Sequence, residues 1–275
     1  MGLSAGQGSA DDPAYTVEQA LDNLQQTDDP SARYYAAWWI GRFRVDDPVA
    51  INALLTALDD LSDRSPDGGY PLRRNAAKAL GKVGDSLVVP ALIKALNCDD
   101  YYVRESAAQS LEMLEDSRAI SPLISLLAGG LAAAHQVAGK PHLTQPYEAI
   151  LEALGTLKAT EAISLIEPFL DHFVPKVQYA AARALYQLTG NSIYGEKLVT
   201  ALQEKDLQVR RSALMDLGAI GYLGAAEAIA DTLAENSLKL ISLKGILEHY
   251  LHQLPSENDL DEASIQVMML MDGLL

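Results

Sequence analysis

The stretch that decides the fold of this 275-residue chain reads Asp206-Leu-Gln-Val-Arg210-Arg-Ser-Ala213-Leu214-Met-Asp-Leu217-Gly218. Similar blocks recur about every 31 residues, with two longer spacings. We call the position of Arg210 in this block, and the equivalent position in every other block, the slot. The slots fall at Arg33, Arg73, Arg104, Tyr147, Gln178, Arg210 and Leu240. The residues three, four and seven positions after a slot are mostly apolar and share one face of a helix, so each block predicts an amphipathic helix.

A second amphipathic segment follows each slot helix after a short turn, as in Val89-Pro90-Ala-Leu92-Ile93-Lys-Ala-Leu96. Pro90 stands in the first turn of its segment, where a helix tolerates proline. Alternating runs of Val, Ile and Thr are absent from the sequence, so no sheet is expected. Helix pairs repeated at a fixed period stack into a solenoid whose concave side is the working surface.

This repeat resembles HEAT repeats over roughly residues 15–254. The resemblance implies an all-α fold, a right-handed α-solenoid of HEAT-like helix pairs (an α-α superhelix). An acidic residue stands four positions before three of the slots, as Asp29, Asp100 and Asp206. In HEAT repeats such Asp–Arg pairs form a buried ladder between units, and we expect the same structural role here.

The formal charge of −16 excludes several classes of partner. A duplex nucleic-acid binder needs clustered Lys and Arg, and an anionic membrane surface attracts basic segments. Hydrophobic residues make up 49% of the chain, so it is not disordered. The single cysteine, Cys98, excludes an intrachain disulfide framework and indicates a reducing compartment.

Residues 119–139 form a run without a formal charge, which raises the question of a membrane span. Pro122 and the Gly129-Gly130 pair interrupt the run, and its first half fits the repeat, so we expect no span. Met1–Pro13 lacks the basic start and the apolar core of a signal peptide. The expected location is the cytoplasm.

Two insertions lengthen the repeat, Asp59–Pro71 and Ala128–Pro146. Insertions in solenoids emerge as loops, and two interpretations remain open for both, a binding loop or a neutral surface loop. The second loop holds His135 and His142, whose spacing is not a metal-site signature.

The most unusual cluster is Arg33-Tyr-Tyr-Ala-Ala-Trp-Trp-Ile-Gly-Arg42-Phe-Arg44, which holds both tryptophans of the chain. Trp38 and Arg42 are one helical turn apart on a face that the repeat leaves unburied. With Tyr34 they predict an aromatic wall beside a cation, which suits an extended conjugated ligand bearing carboxylates. The alternative is that bulky aromatic residues seal the open end of the array.

Other candidate residues carry weaker signals. Tyr101 and Tyr102 start a slot helix and serve either an interface or packing. Arg74, Lys78 and Lys82 make a cationic stripe that is by default a solvated face. We interpret Cys98 as a small buried hydrophobe, not a nucleophile. The sequence shows no Ser-His-Asp grouping, no phosphate loop and no metal cluster.

With the block at residues 33–44, the sequence resembles the E subunits of the heterodimeric E/F-type phycobilin lyases of cyanobacteria over nearly its full length. The resemblance implies a lyase active with an F-type subunit. Such a pair attaches phycocyanobilin, a bile pigment, to a cysteine of the phycocyanin α subunit through a thioether, and also releases or transfers it. It implies no cofactor, since phycocyanobilin is the substrate, and a cytoplasmic location near phycobilisomes.

The resemblance also implies roles for residues. Arg33, Arg42 or Arg74 would bind the pigment propionates, and a carboxylate would pair with the pyrrole nitrogens. Related pairs isomerise the pigment through a His-Cys motif in the F-type partner, whereas Asn97 precedes Cys98 here. The catalytic residues stay unassigned. The bilin-binding candidates are Tyr34, Trp38, Arg42, Arg74, Tyr101 and Tyr102.

The expected organisation is an N-terminal tail at 1–14, a repeat array at 15–254 and a C-terminal helix or cap at 255–275. This last segment is rich in methionine, and Met268, Met269 and Met271 are candidates for the partner interface. Three alternatives to a lyase subunit remain open. They are a non-enzymatic HEAT-repeat adaptor that binds proteins, an E-type partner of a lyase/isomerase pair, and a relative that detaches bilins.

Overall fold

The computed structural model describes residues 15–254 and 260–275, and the regular structure in these two ranges is helical. The β structure described there is one isolated bridge between Gln136 and Leu143 in the second insertion. The all-α prediction is therefore confirmed. The predicted tail at 1–14 and the first residues of the predicted cap, 255–259, lie outside the described residues.

The chain divides into two compact units, Met1–Leu114 and Glu115–Leu275. The helices of the first unit are α1 (Val17–Gln25), α2 (Pro30–Arg42), α3 (Pro48–Leu58), α4 (Pro71–Val83), α5 (Val89–Ala95) and α6 (Tyr101–Leu114). They form three packed pairs, α1 with α2, α3 with α4 and α5 with α6. The slot helices α2, α4 and α6 lie side by side, so α2 packs on α4 and α4 on α6, and each of the three also packs on the helix before it.

The second unit repeats this arrangement. Its helices are α7 (Ile120–Ser125), α8 (Gly130–Ala133), α9 (Tyr147–Thr156), α10 (Ile163–Ile166), α11 (Pro175–Thr189), α12 (Ser192–Ala201), α13 (Leu207–Ile220), α14 (Ala226–Asp231), α15 (Asn236–Gln253) and α16 (Glu262–Asp272). Short 3-10 turns precede or follow the second helices of the pairs, which come between the slot helices. They lie at Ser86–Val88, Ser117–Ala119, Thr160–Ala162, Glu167–Asp171 and Leu223–Ala225. The slot helices are α9, α11, α13 and α15, and α16 packs on α14 and α15 at the end.

The predicted core stripe holds in six of the seven blocks. In α2, for example, Ala36, Ala37 and Ile40 are fully buried. The register fails in α15, where Lys244, four positions after Leu240, is exposed. The slot there is Lys239, because the residues three, four and seven positions later, Ser242, Leu243 and Ile246, are the buried ones.

The slot side chain has a shared structural task. In six slots it donates a hydrogen bond to a main-chain carbonyl at or just beyond the end of the preceding helix. The pairs are Arg33–Leu24 (3.1 Å), Arg73–Leu58 (2.7 Å), Arg104–Cys98 (2.7 Å), Gln178–His172 (2.6 Å), Arg210–Glu204 (2.5 Å) and Lys239–Ala230 (2.9 Å). These bonds satisfy carbonyls that a helix end leaves without a partner inside the helix. A long donor is therefore what the slot requires, and Gln178 and Lys239 supply it as well as arginine does.

The acidic residues four positions before the slots cap helices. Asp29 accepts hydrogen bonds from the backbone N–H groups of Ser31 (2.9 Å) and Ala32 (3.1 Å), and Asp206 accepts one from Gln208 (2.8 Å). These are N-cap contacts, which satisfy donors at the start of a helix. The expected structural role is confirmed, but the expected Asp–Arg ladder is wrong for Asp29 and Asp206, because each carboxylate serves its own helix.

Neighbouring slot helices approach to backbone contact at small residues. A Cβ added at Gly41 of α2 would lie 2.7 Å from Cα of Ala79 in α4, and one added at Gly81 would lie 2.7 Å from Cα of Ser110 in α6. A Cβ added at Gly218 of α13 would lie 2.8 Å from Cα of Ser242 in α15. A glycine eight positions after the slot therefore sets the spacing of the slot helices.

The uncharged run at residues 119–139 contains two short helices, α7 and α8, and part of a loop. Within the described ranges, every helix is too short or too polar to cross a membrane.

Candidate functional site

The exposed side of α2 and α4 carries the predicted candidates. The residues one, five and nine positions after a slot follow one another by a helical turn, so they form a line along each helix. We call these two lines together the α2–α4 stripe, which consists of Tyr34, Trp38 and Arg42 on α2 and Arg74, Lys78 and Lys82 on α4. Because the two helix backbones touch at Gly41, the two lines lie side by side.

Trp38 is 46% exposed, and Arg42 one turn later is exposed as well. The predicted face of these two residues is therefore correct. The ring beside Trp38 is that of Tyr35, with centroids 5.5 Å apart and planes inclined at 33°. Tyr35 is itself half exposed. The aromatic wall thus consists of Trp38 and Tyr35, and sequence reasoning missed Tyr35, although the adjacent aromatic pair at 34–35 was a signal for it.

Trp39 points to the other side of α2. Its ring lies 5.3 Å from that of Tyr15 and 4.8 Å from that of Phe43. Tyr15 in turn contacts Tyr35 edge-on at 5.2 Å. These contacts join the two faces of the helix into one aromatic cluster, in which Trp38 lies on the exposed face and Trp39 packs against Tyr15 and Phe43.

Tyr34 is held by the first insertion. Its hydroxyl donates to Oδ1 of Asp63 at 2.7 Å, and Oδ2 of Asp63 accepts from the backbone N–H of Leu72 at 3.1 Å, near the start of α4. Burial and the Asp63 carboxylate raise the pKa of Tyr34 to about 12. The hydroxyl is therefore neutral and committed to Asp63, and the insertion ties α2 to α4.

Arg74 is engaged inside the protein. Its guanidinium carbon lies 4.3 Å above the centroid of the Tyr102 ring, a cation–π contact, and Nη2 lies 4.0 Å from Oδ2 of Asp100. Asp100 is buried and accepts from the backbone N–H groups of Tyr70 (2.7 Å) and Tyr102 (2.8 Å). Tyr101 packs perpendicular to Tyr102 with centroids 5.3 Å apart. The structure therefore brings Tyr101 and Tyr102 together with Arg74 of the stripe.

Arg33 does not face the stripe. It is buried, and its Nη2 lies 2.6 Å from Oδ2 of Asp60. Burial alone raises the pKa of Asp60, but hydrogen bonds from Ser62 and Arg33 outweigh it and lower that pKa to about 2. The suggestion that Arg33 binds a propionate is therefore wrong, because its guanidinium is buried in an ion pair with Asp60.

Comparison with known proteins identifies the family. A family model of HEAT repeats matches residues 17–112 and 58–133. The phycocyanobilin lyase subunit alpha of Synechocystis sp. is 68% identical over 265 residues, which cover 96% of this chain and 97% of that protein. This chain belongs to the phycocyanobilin lyase subunit alpha family. The expected resemblance to E subunits and to HEAT repeats is thereby confirmed.

Two further similarities concern a bilin biosynthesis protein and a solved complex. The bilin biosynthesis protein PecE of Nostoc sp. is 44% identical over 88% of this chain and 90% of that protein. The complex of CpcE and CpcF of phycocyanin lyase from Nostoc sp. contains a chain with 58% identity and a TM-score of 0.89, covering 99% of this chain and 100% of that one.

A second charged cluster of this family member lies on the slot helices of the second unit. Arg183 on α11 lies between Oε1 of Glu152 (3.7 Å) and Oδ1 of Asp216 (3.2 Å). Glu148, one turn before Glu152, has its pKa raised by burial, and the charge of Lys176 offsets part of that rise. Glu148 and Glu152 stand one and five positions after the slot at Tyr147. Arg183 stands five positions after the slot at Gln178. Sequence reasoning missed the cluster, although these places matched those of the α2–α4 stripe.

The second insertion is anchored by a histidine that the sequence did not single out. His172 is buried, its Nε2 lies 2.9 Å from the carbonyl oxygen of Ala134, and its Nδ1 accepts from the backbone N–H of Val174 at 3.0 Å. These two contacts fit the neutral ring with its proton on Nε2. The loop histidines play other parts, since His135 is exposed and His142 bonds the Leu143 carbonyl at 2.9 Å. In the part of the chain that the structure describes, no three His, Cys, Asp or Glu residues cluster as metal ligands do.

Cys98 is buried, as its structural interpretation predicted. Burial raises the pKa of its thiol, which keeps the sulfur protonated and unreactive.

Helix α16 has two different faces. Val267 is buried against α14 and α15, and Met271 packs on the same core. Met268 and Met269 are 40% and 68% exposed on the other face. One face of α16 thus packs on α14 and α15 and the other is apolar and exposed, and Met271 lies on the packed face.

Proposed function

We propose that this chain is the E-type subunit of a lyase that, with an F-type subunit, attaches phycocyanobilin to a cysteine of the phycocyanin α subunit. The observation that carries the proposal is the 68% identity to a phycocyanobilin lyase subunit alpha across 96% of this chain. A cytoplasmic site of action near phycobilisomes follows from the same reaction, since the acceptor is a phycobilisome protein.

The reaction is an addition. The acceptor cysteine supplies the S–H group, its sulfur bonds to the ethylidene side chain of pigment ring A, and its proton goes to the ring carbon at the other end of the double bond. No oxidant and no leaving group is needed. The lyase therefore has to hold the pigment extended and present ring A to the thiol, which is catalysis by orientation. The burial of Cys98 agrees with a nucleophile that comes from the acceptor.

The α2–α4 stripe is the surface we propose for the pigment. Trp38 and Tyr35 offer exposed ring faces for a conjugated tetrapyrrole, and Tyr34, fixed by Asp63, borders them. Arg42 supplies a cation one turn from Trp38. Tyr101 and Tyr102 border the stripe through the contact of Arg74 with the Tyr102 ring.

The partner is supported by the complex of CpcE and CpcF, whose one chain is 58% identical to this chain. We propose that the exposed face of α16, with Met268 and Met269, contributes to the interface with the F-type subunit, because flexible thioether side chains suit partner surfaces. Replacing both by Gln should weaken the heterodimer about tenfold, as a moderate hot spot would. Leu87→Gln, an equally apolar change at an exposed site of the first unit, is the control. An undiminished heterodimer in size-exclusion chromatography would exclude this face.

Co-expression tests the reaction. The chain, an F-type subunit, the phycocyanin α subunit and phycocyanobilin should together yield a zinc-fluorescent α-subunit adduct, and omission of this chain should abolish it. An adaptor that only binds proteins would give no adduct. The second candidate is the E-type partner of a lyase/isomerase pair, since the chain is also 44% identical to a bilin biosynthesis protein, PecE. Its adduct would absorb at shorter wavelength, because isomerisation shortens the conjugated system.

A further inference from the structure

Three cations of the α2–α4 stripe have no partner within residues 15–254 and 260–275. Arg42, Lys78 and Lys82 are exposed, and among the described residues none of their side chains forms a hydrogen bond, an ion pair or a cation–π contact. The chain has 37 Asp and Glu against 21 Lys and Arg, so carboxylates are abundant elsewhere on the surface. These three positive charges are left together on two touching helices.

This arrangement is unfavourable for the isolated protein. Lys78 and Lys82 stand four residues apart on α4, where like charges destabilise a helix. Arg42 and Lys82 lie in the last turns of α2 and α4, where the helix dipole favours a cation. That effect is confined to the last turn and gives no reason for a lysine at 78. A bound anion would supply the negative charge that these three cations lack.

The other two arginines considered for this task are already occupied. Arg33 is paired with Asp60, and Arg74 lies on the Tyr102 ring near Asp100. The unoccupied cations are therefore those on the exposed side, next to Trp38. Lys78 and Lys82 are separated by about 6 Å along the helix axis, a spacing suited to two acidic side chains on adjacent rings of one ligand.

We infer that Lys78 and Lys82, together with Arg42, bind the two propionate groups of the pigment while its rings lie against Trp38 and Tyr35. This inference rests on the proposed function and deepens it. It assigns carboxylate recognition to Lys78 and Lys82 on α4 and Arg42 at the end of α2, and ring recognition to Trp38 and Tyr35 on α2. The stripe then selects tetrapyrroles that bear free carboxylates.

Esterification of the ligand provides the test. Phycocyanobilin and its dimethyl ester, which keeps the rings and lacks both charges, are titrated by absorbance against the full chain in complex with an F-type subunit. We expect the free acid to bind about tenfold more tightly, the size of a hydrogen-bonded charge contact. In the double variant Lys78→Gln/Lys82→Gln, the acid should lose about that factor and the ester should bind as before.

Lys94→Gln is the matched control. Lys94 is an exposed lysine of α5 that pairs with Asp59, so its replacement removes one lysine charge outside the stripe. Acid and ester should bind that variant as they bind the unaltered complex. Equal binding of acid and ester by the unaltered complex overturns the inference and leaves the proposed function standing. If the double variant is folded by circular dichroism and loses affinity for acid and ester equally, the inference is also overturned. Failure of the unaltered complex to bind either pigment overturns both proposals.

Discussion

Asp60 and Glu148 show how the same functional group acquires opposite effects on stability. Asp60 is 14% exposed and receives hydrogen bonds from Arg33 and Ser62, so its folded-state pKa of about 2 lies below its ordinary 3.8. The folded state therefore favours the carboxylate, and this stabilisation is present above pH 3.8 and is lost as the pH falls toward 2.

Asp60→Asn should lower the free energy of unfolding by about 2 kcal/mol at pH 7, since the variant leaves the Arg33 charge buried without a counter-charge. The difference from the unaltered protein should shrink as the pH falls from 4 to 2. Urea unfolding at a series of pH values measures it. Asp59→Asn is the control, because the pair of Asp59 with Lys94 is exposed and worth little. A loss that stays constant down to pH 2 would contradict the assignment.

Glu148→Gln should act in the opposite direction. Burial raises the pKa of Glu148, so its charged form destabilises the fold, and stability is lost as the pH rises through the folded-state value. The variant should melt about 1–3 °C higher at pH 7 and like the unaltered protein below the ordinary pKa. Calorimetric scans between pH 3.5 and pH 8, roughly the range around the reference Glu pKa, provide the measurement. A lower melting temperature at pH 7 would show that Glu148 is stabilised as the carboxylate.

At this scale, the sequence predicts side-chain direction better than side-chain partners. The exposure of Trp38 and Arg42 followed from helical spacing, which is a local property. The partner of Arg33 did not, because the Leu24 carbonyl and Asp60 are brought to it by the packing of separate helices. Tyr35 as the ring beside Trp38 was also missed, because the line of Tyr34, Trp38 and Arg42 follows the four-residue spacing alone. Tyr35 reaches Trp38 at the three-residue spacing, which also makes side chains neighbours on a helix.

Among the elements, the spacing of slot helices depends on single glycines. Gly81→Ala would place a methyl group 2.5 Å from Cβ and Oγ and 2.7 Å from Cα of Ser110, so α4 and α6 would have to separate. We expect a loss of about 2 kcal/mol in unfolding free energy, the usual size of overpacking. Ser110→Gly in the same chain should restore part of it, as a double-mutant cycle would reveal. A fully additive cycle would mean that the two residues do not limit the approach.

The error in the α15 register has a physical reason as well. Leu238, Leu240, Ile241 and Leu243 offer several apolar faces, and an apolar pattern alone cannot choose among them. The choice is made by the approach of Gly245 to Gly218 on α13. The six blocks with a single apolar stripe were predicted correctly.

For the molecule as a whole, the decisive measurement is pigment transfer. Trp38→Ala removes an exposed ring, so the fold should survive while transfer to the phycocyanin α subunit falls about threefold to tenfold, the size of an aromatic contact. Phe43→Ala is the control, an exposed aromatic residue outside the stripe. Circular dichroism and zinc fluorescence of the adduct are the two readouts. A folded variant that transfers at the normal rate would move the site elsewhere, with the loop of His135 and His142 as the next candidate.

The slot bonds also bear on how this protein tolerates sequence change. Each one joins a side chain to a main-chain oxygen, and that oxygen is present whatever amino acid occupies the acceptor position. A point substitution can therefore remove only the donor half of the contact. Gln178 and Lys239 show that even the donor half accepts replacement. Half of every such link is thus beyond the reach of most mutations, which leaves the outer face of the slot helices open to evolve new ligands while the stack persists.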